Sequence, residues 1–154
     1  GPFLNPANVK RQVIGFSDPA AMEIGAKIAI LMKKERVMLV HSDLGIDEFM
    51  PSGKNTILDI ENGKILRKNV IFPESNLPLE RFESERIFFD VLNNRGNKFV
   101  RDAVILNSSL GLIVAGKAND LKDAMEISEY LLESGKALEK FYQFKEEAGK
   151  NEPH

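Results

Sequence analysis

Val37-Met38-Leu39-Val40 is a continuous apolar run, and the polar stretch His41-Ser42-Asp43-Leu44-Gly45-Ile46-Asp47-Glu48 follows it at once. Apolar residues without alternation predict a strand that is covered on both faces, as in an α/β sheet. In open α/β sheets, ligands bind outside the carboxyl ends of the strands. We therefore expect this strand to be central in the fold and the candidate functional residues to follow it.

The segments on either side of this strand complete an α/β pattern. Asp18-Pro19 predicts a helix start, with Asp18 as the capping residue and proline in the first turn. Asn62-Gly63 predicts a hairpin between residues 56–61 and 64–71, because both residues tolerate the positive φ angles of a type I′ turn. The lead-in, residues 1–16, is expected to be irregular.

The second half of the chain is expected to be helical. A loop containing prolines, Pro73 to Pro78, follows the hairpin. Helical spacing and capping residues predict helices over residues 83–93, 97–116 and from 119 or 120 to 135, the last with a polar continuation to about residue 148.

The predicted fold is a small α/β sheet with helices on its faces. Residues 1–148 are assigned to one α/β domain, and residues 149–154 to a frayed tail. A strand covered on both faces needs a neighbour on each side, and the sequence offers few candidates. We therefore expect part of the sheet to lie elsewhere in sequence.

Composition excludes several classes of protein. Hydrophobic residues make up 43% of the 154 residues, which predicts a packed core. The formal charge is −2, so the net charge of the chain does not favour binding to nucleic acid or to an anionic membrane. The absence of cysteine excludes disulfides and thiolate metal sites and fits a reducing cytosol. The chain has two histidines, so a histidine metal cluster is excluded.

Asp47 and Glu48 are the strongest candidates for a metal site. In a loop after Gly45, both carboxylates can converge on one region. Oxygen ligands without a nearby histidine or cysteine suit Mg²⁺, which takes one or two carboxylates and completes its shell with water and substrate phosphates. The alternative interpretation is a pair of solvated surface carboxylates, which are common.

Other polar residues have weaker signals. His41 has the pKa range of a general base, but a structural histidine bonded to loop backbone is the favoured interpretation. Ser42 and Asp43 lack the nucleophile-elbow pattern of a hydrolase. Ser52-Gly53-Lys54 lacks the full phosphate-loop pattern and is expected to be a turn into the hairpin. Asn107 is expected to be a structural hydrogen-bonding residue within a helix.

Several motifs, in order along the chain, resemble those of anthranilate phosphoribosyltransferases. They are Gly1-Pro2-Phe3-Leu4-Asn5-Pro6-Ala7, Arg11-Gln12-Val13-Ile14-Gly15, Gly45-Ile46-Asp47-Glu48, Arg101-Asp102-Ala103-Val104-Ile105-Leu106-Asn107, Ala115-Gly116-Lys117-Ala118 and Ser134-Gly135-Lys136-Ala137. In that family the first reads G-P-L-x-N-P-A and the acid pair lies in G-x-D-E. The resemblance spans most of the chain.

This resemblance implies transfer of a phosphoribosyl group from phosphoribosyl pyrophosphate (PRPP) to anthranilate, an early step of tryptophan biosynthesis in the cytoplasm. It implies that Asp47 and Glu48 bind Mg²⁺ beside the pyrophosphate and that Pro2 lies against anthranilate. The metal would neutralise the leaving pyrophosphate while the amine is held in line. A homodimer is implied for the full-length protein.

The sequence also departs from the family. The glycine-rich pyrophosphate loop, a metal-binding serine and an anthranilate-contacting arginine lie upstream of the opening motif in the family, and the chain lacks an initiator methionine. We therefore expect roughly the C-terminal half of such an enzyme, inactive when isolated. Two alternatives stay open: a related nucleoside phosphorylase or phosphoribosyltransferase with another acceptor, and a non-catalytic remnant that binds a phosphate ligand or a partner protein.

Overall fold

A computed structural model describes residues 2–5, 7, 9–75 and 84–150, and its centre is one mixed β-sheet. Strands β1 (Arg11–Gly15), β2 (Arg36–Ser42), β3 (Gly53–Glu61) and β4 (Lys64–Phe72) lie side by side in that order. β1 is parallel to β2, whereas β3 is antiparallel to both β2 and β4. The expected α/β class is confirmed, and β2 is the interior strand that the apolar run predicts, buried from Val37 to Ser42.

Helices account for most of the remaining described residues. A short 3₁₀ helix, Pro2–Leu4, precedes α1 (Pro19–Leu31), α2 (Ser84–Leu92), α3 (Lys98–Val114), α4 (Leu121–Glu133) and α5 (Lys136–Gly149). Within the described residues, α2, α3 and α4 confirm the predicted helices to within a few residues. The predicted polar continuation of the last helix is a separate helix, α5, because Gly135 has a φ of 74° and interrupts the helical backbone. Among the described residues, no helix has both the length and the hydropathy to cross a membrane.

Some predicted boundaries fall outside the described residues. Of the predicted proline-containing loop, residues 73–75 are described and have no regular structure, whereas residues 76–78 lie outside the description. The same holds for residue 83 at the start of the second predicted helix. Helix α5 ends at Gly149, and residues 151–154 of the expected tail are not among those described.

The expectation that residues 1–16 are irregular is wrong, because they contain β1. Its residues pair in parallel register with β2, from Arg11 opposite Arg36 to Gly15 opposite Val40. Arg11 is exposed and Ile14 is buried, so the hydrophobic pattern of this five-residue strand is weak. The strand depends on non-local pairing with β2, and it provides the second neighbour of β2, for which the sequence pattern offers few candidates.

The sheet separates two hydrophobic layers. On one face, Val37 and Leu39 of β2 pack with α1 residues such as Met22 and Ala26. On the other face, Met38 and Val40 of β2 pack with α3 and α4 through residues that include Leu106, Leu110 and Ala124. This alternation along β2 follows from the two-residue period of a strand.

Helix α1 presents small residues to the sheet. Its buried residues are Met22, Gly25, Ala26 and Ala29. A Cβ atom on Gly25 would lie 2.6 Å from the ring of Phe16, so a larger residue at position 25 would displace this ring. Ile24 and Leu31, which also recur at helical spacing in the sequence, are 58% and 80% exposed. The face of α1 that packs is therefore set by size as well as by hydrophobicity.

Local signals for the hairpin and the first helix are confirmed. Asn62 and Gly63 have φ angles of 49° and 78°, as a type I′ turn requires. The Asp18 side chain accepts a hydrogen bond of 2.9 Å from the backbone N–H of Ala20, which makes it the N-cap of α1. The antiparallel pairing of β2 with β3, in which Ser42 lies opposite Asn55, places the β2–β3 connection at the carboxyl end of β2.

Candidate functional site

The candidate site is the connection between β2 and β3, residues 43–52, here named the acid-pair loop. It begins with a turn in which the N–H of Gly45 donates to the carbonyl of Ser42 at 2.9 Å. Gly45 has a φ of 73°, which glycine adopts without strain. The N–H of Ser42 donates to the carbonyl of Ile46 at 3.2 Å and forms an isolated bridge. The turn places Asp47 and Glu48, both exposed, directly after the carboxyl end of β2.

Strand β1 supports the acid pair through a backbone contact. A Cβ atom on Gly15, the last residue of β1, would lie 1.5 Å from the carbonyl oxygen of Asp47 and 2.5 Å from its carbonyl carbon. Any side chain at position 15 would therefore displace the loop. The resemblance to the family includes this glycine, and a glycine in a strand often marks close approach of another backbone.

Two asparagine side chains hold the residues that follow the acid pair. The Asn107 amide accepts from the N–H of Phe49 and donates to its carbonyl, both at 2.9 Å. The Asn55 amide does the same with Met50, also at 2.9 Å in both directions. Each amide thus mimics the pairing of a neighbouring strand. The structural role expected for Asn107 is confirmed, whereas no signal in the sequence singled out Asn55.

The two neighbouring carboxylates of the acid pair repel each other. Partial burial of the Glu48 carboxyl, and secondly the Asp47 carboxylate, raise the pKa of Glu48 above its usual value. The carboxylate of Glu48 is therefore less stable than that of an ordinary surface glutamate. A bound cation would relieve the repulsion between Asp47 and Glu48, so this charge arrangement favours cation binding.

His41 has a structural role, as expected. Its Nδ1 lies 2.8 Å from the carbonyl oxygen of Phe16. Because a carbonyl only accepts, Nδ1 is the donor of this hydrogen bond. Nε2 lies 4.0 Å from Oδ1 of Asp43. The hydrogen bond to Phe16 connects the end of β2 to the residue after β1. Because the side chain is only 8% exposed, a ligand has little access to it.

Pro2 lies in the 3₁₀ helix at the start of the chain, outside the acid-pair loop. Its carbonyl accepts a hydrogen bond of 3.1 Å from Nε2 of Gln12 in β1. The adjacent Phe3 is buried in the same layer as α1. Since β1 holds Pro2 through Gln12 and contacts Asp47 through Gly15, this strand connects the two parts of the predicted site.

Ser52-Gly53-Lys54 forms the entry to the hairpin, as expected. Oγ of Ser52 accepts from the N–H of Ser75 at 2.9 Å and donates to its carbonyl at 3.2 Å. These bonds connect the start of the hairpin to the residues after β4. A groove of about 730 Å³ opens beside it. The charged side chains of the groove are Asp43, Lys54 and Glu74, so carboxylates outnumber ammonium groups. That balance does not favour a phosphate.

Comparison with known families gives the classification. Residues 1–138 match the glycosyl transferase family, a/b domain. The chain belongs to this family. The match covers β1 to β4, the acid-pair loop and helices α1 to α4.

The curated relatives share a more specific name than the family. The chain is 38% identical over 152 residues to the anthranilate phosphoribosyltransferase of Petrotoga mobilis, with 91% of the chain and 43% of the relative covered. It is 30% identical over 159 residues to that of Staphylococcus aureus strain Newman, with 96% and 47% covered. The predicted resemblance is therefore confirmed, and the chain spans less than half the length of these relatives.

Solved structures confirm the fold. Anthranilate phosphoribosyltransferase from Saccharomyces cerevisiae in complex with 4-fluoroanthranilate aligns with a TM-score of 0.78 at 24% identity, over 94% of this chain and 45% of that one. The same enzyme in complex with PRPP and Mg aligns with a TM-score of 0.76 at 23% identity, over 94% and 44%. The described helices and sheet thus have the architecture of one part of those larger chains.

Proposed function

We propose that this chain is the C-terminal portion of an enzyme that transfers a phosphoribosyl group from PRPP to the amino group of anthranilate, in cytoplasmic tryptophan biosynthesis. Residues 1–148 form its α/β domain. The observation that carries the proposal is the acid-pair loop, which holds two exposed carboxylates at the carboxyl end of β2 on a backbone fixed from β1, β3 and α3. Membership of the glycosyl transferase family and the names of the curated relatives support it.

The residues of the loop fit Mg²⁺. Within the described part of the chain, no group of three or more histidine, cysteine or acidic side chains forms a complete cation site. Asp47 and Glu48 would provide two oxygen ligands, and magnesium commonly takes one or two carboxylates from a protein when substrate phosphates complete its shell. Mg²⁺ held there would stabilise the negative charge that develops on the leaving pyrophosphate.

Pro2 is proposed to contact the anthranilate ring. It is exposed at the start of the chain, and its backbone is fixed by Gln12 and by the buried side chain of Phe3. A rigid apolar ring on a fixed backbone suits contact with a flat aromatic acid, since it orders the ligand at little conformational cost. The contribution of Pro2 is therefore orientation of the acceptor.

The complete enzyme is proposed to be a homodimer with no nucleic-acid or membrane partner, which agrees with a formal charge of −2. The 154-residue chain alone is expected to have negligible turnover. The family resemblance places a glycine-rich loop upstream, and backbone N–H groups of such loops are strong binders of pyrophosphate.

The test is a transfer assay on the complete enzyme with PRPP, Mg²⁺ and a set of acceptors. We expect phosphoribosyl anthranilate and pyrophosphate to form in equal amounts. Transfer to a nucleobase but not to anthranilate would support the related phosphorylase or phosphoribosyltransferase instead. PRPP or partner binding without transfer to any acceptor would support the non-catalytic alternative.

A further inference from the structure

We propose that Asn107 is a positioning residue that sets the acid-pair loop for cation binding. The inference rests on the proposed role of Asp47 and Glu48 in holding a divalent cation. Asn107 lies in the middle of α3 and is 58 residues from Phe49 in sequence, so its contact with the loop is tertiary. It touches neither carboxylate in any hydrogen bond of the described structure, and it acts through the backbone.

The amide of Asn107 has one orientation. Its Oδ1 accepts from the N–H of Phe49, and its Nδ2 donates to the carbonyls of Phe49 and of Ala103, each at 2.9 Å. Because an N–H only donates and a carbonyl only accepts, a flipped amide would lose all of these bonds. The bond to Ala103, one turn earlier in α3, fixes the side chain on its own helix. Asn107 thus joins the loop rigidly to α3.

Phe49 transmits this constraint to the acid pair. Its side chain is fully buried and packs against Phe72, with ring centroids 6.0 Å apart. It directly follows Glu48, while the carbonyl of Asp47 packs closely against Gly15. Glu48 therefore lies between a closely packed backbone position and a hydrogen-bonded one. Fixing the backbone before the cation arrives lowers the conformational entropy that binding must remove.

Substitution of Asn107 tests the role of the loop contact more specifically than substitution of Asn55. Asn55 is fully buried, so its substitution would disturb the core as well as the loop. Asn107 is half-buried in a helix, where alanine has a favourable helix propensity. Ser109, two residues further along α3, provides a control for loss of a side-chain hydrogen bond elsewhere in the same helix. Its buried hydroxyl donates to the carbonyl of Ile105 at 2.6 Å and lies 3.4 Å from Oγ of Ser128, with no hydrogen bond to the loop.

The experiment uses Mn²⁺ as a paramagnetic probe on the ¹⁵N-labelled chain. Broadening of the amide resonances of residues 45–48 is followed against Mn²⁺ concentration, and hydrogen exchange of the Phe49 amide is measured without metal. For Asn107→Ala we expect the Mn²⁺ concentration that gives half-maximal broadening to rise about tenfold. Losses of this size are typical when a residue that supports a metal ligand is substituted. We also expect faster exchange at Phe49. Asn107→Leu, which keeps the branched shape of the side chain and removes its hydrogen-bonding groups, should show the same two changes, and Ser109→Ala should show neither.

The outcomes separate this inference from the proposed function. If the parent chain binds Mn²⁺ at residues 45–48 and both Asn107 variants bind it equally well, the positioning role is overturned and the metal site stands. If Ser109→Ala weakens Mn²⁺ binding as much as Asn107→Ala, the effect is general destabilisation, which also overturns the positioning role. If the parent shows no broadening at residues 45–48, or if Asp47→Asn with Glu48→Gln broadens like the parent, the metal site itself is overturned and the positioning role with it.

Discussion

Gly15 and Asp47 are in direct backbone contact, because a Cβ atom at position 15 would lie 1.5 Å from the carbonyl oxygen of Asp47. The contact joins the end of β1 to the acid-pair loop. It gives a glycine in a strand a specific role, since glycine otherwise weakens a strand.

Gly15→Ala is predicted to destabilise the chain by about 1–3 kcal/mol, as overpacking of a rigid site does. The clash is with backbone atoms, which cannot move aside as a side chain does. Urea unfolding measures the change. Gly111→Ala is the control, because a Cβ there meets nothing within 4 Å. That control lies within α3 and should stabilise the chain by about 0.5–1 kcal/mol. Equal stability of Gly15→Ala and the parent would contradict the observed contact.

Glu48→Gln is predicted to stabilise the metal-free chain slightly at neutral pH. Burial and Asp47 raise the pKa of Glu48, so the folded state holds the proton more tightly than the unfolded state. The contribution of Glu48 to the free energy of unfolding is fully present at a pH below its pKa in the unfolded state. It is lost as the pH rises through its higher pKa in the folded state. The gain from the amide should be under about 1 kcal/mol, because water screens an exposed charge.

Thermal unfolding at a series of pH values measures this effect. The difference between Glu48→Gln and the parent should be present at pH 7 and should vanish below the ordinary glutamate pKa, at about pH 4. Glu74→Gln, an exposed residue after β4, controls for the general effect of changing a carboxylate to an amide. Lower stability of Glu48→Gln at pH 7 would contradict the electrostatic account of the pair.

Asp59→Asn is predicted to destabilise the chain by about 3 kcal/mol, because it breaks a buried ion pair. The Asp59 side chain is 8% exposed, and Arg36 donates to its two oxygens at 3.2 and 3.0 Å. The hydrogen bond to Asp59 raises the pKa of Arg36 in the parent. In the variant the guanidinium is still charged, because arginine is not deprotonated in proteins, and it would lie beside a neutral amide. Arg36 also donates to the carbonyl of Ile113, so the pair couples the sheet to the end of α3.

Chemical unfolding of Asp59→Asn and of Glu126→Gln gives a direct comparison. Glu126 is 4.0 Å from Lys122 in an exposed pair on α4, and its loss should cost under about 0.5 kcal/mol. Similar values for the two variants would show that burial of the Arg36–Asp59 pair has no energetic consequence.

The elements predicted correctly from sequence have local causes. Asp18 caps α1, and Asn62 and Gly63 tolerate the positive φ angles of the hairpin turn. The apolar run Val37 to Val40 predicts the interior strand because both faces of β2 are covered. Each of these signals is contained within a few neighbouring residues.

The elements that sequence did not predict depend on contacts between distant residues. β1 forms because it pairs with β2, and its own pattern of exposure is mixed. The position of the acid pair after a buried strand was predictable, but its supports were not. Asn107 reaches Phe49 across 58 residues of sequence. Asn55 is only five residues from Met50, but it resembles any polar residue near the start of a strand until the loop places Met50 against it.

The most direct measurement for the proposed magnesium role is the Mg²⁺ dependence of kcat/KM for PRPP in the complete enzyme. The double variant Asp47→Asn with Glu48→Gln keeps the shape of both side chains and removes both charges. If the acid pair holds the cation beside the pyrophosphate, kcat/KM should fall by about 100-fold or more while the unfolding transition is retained, since a preorganised charge contribution is lost. Near-parental kcat/KM with an unchanged Mg²⁺ requirement would contradict the account and would leave Asp47 and Glu48 as solvated surface carboxylates.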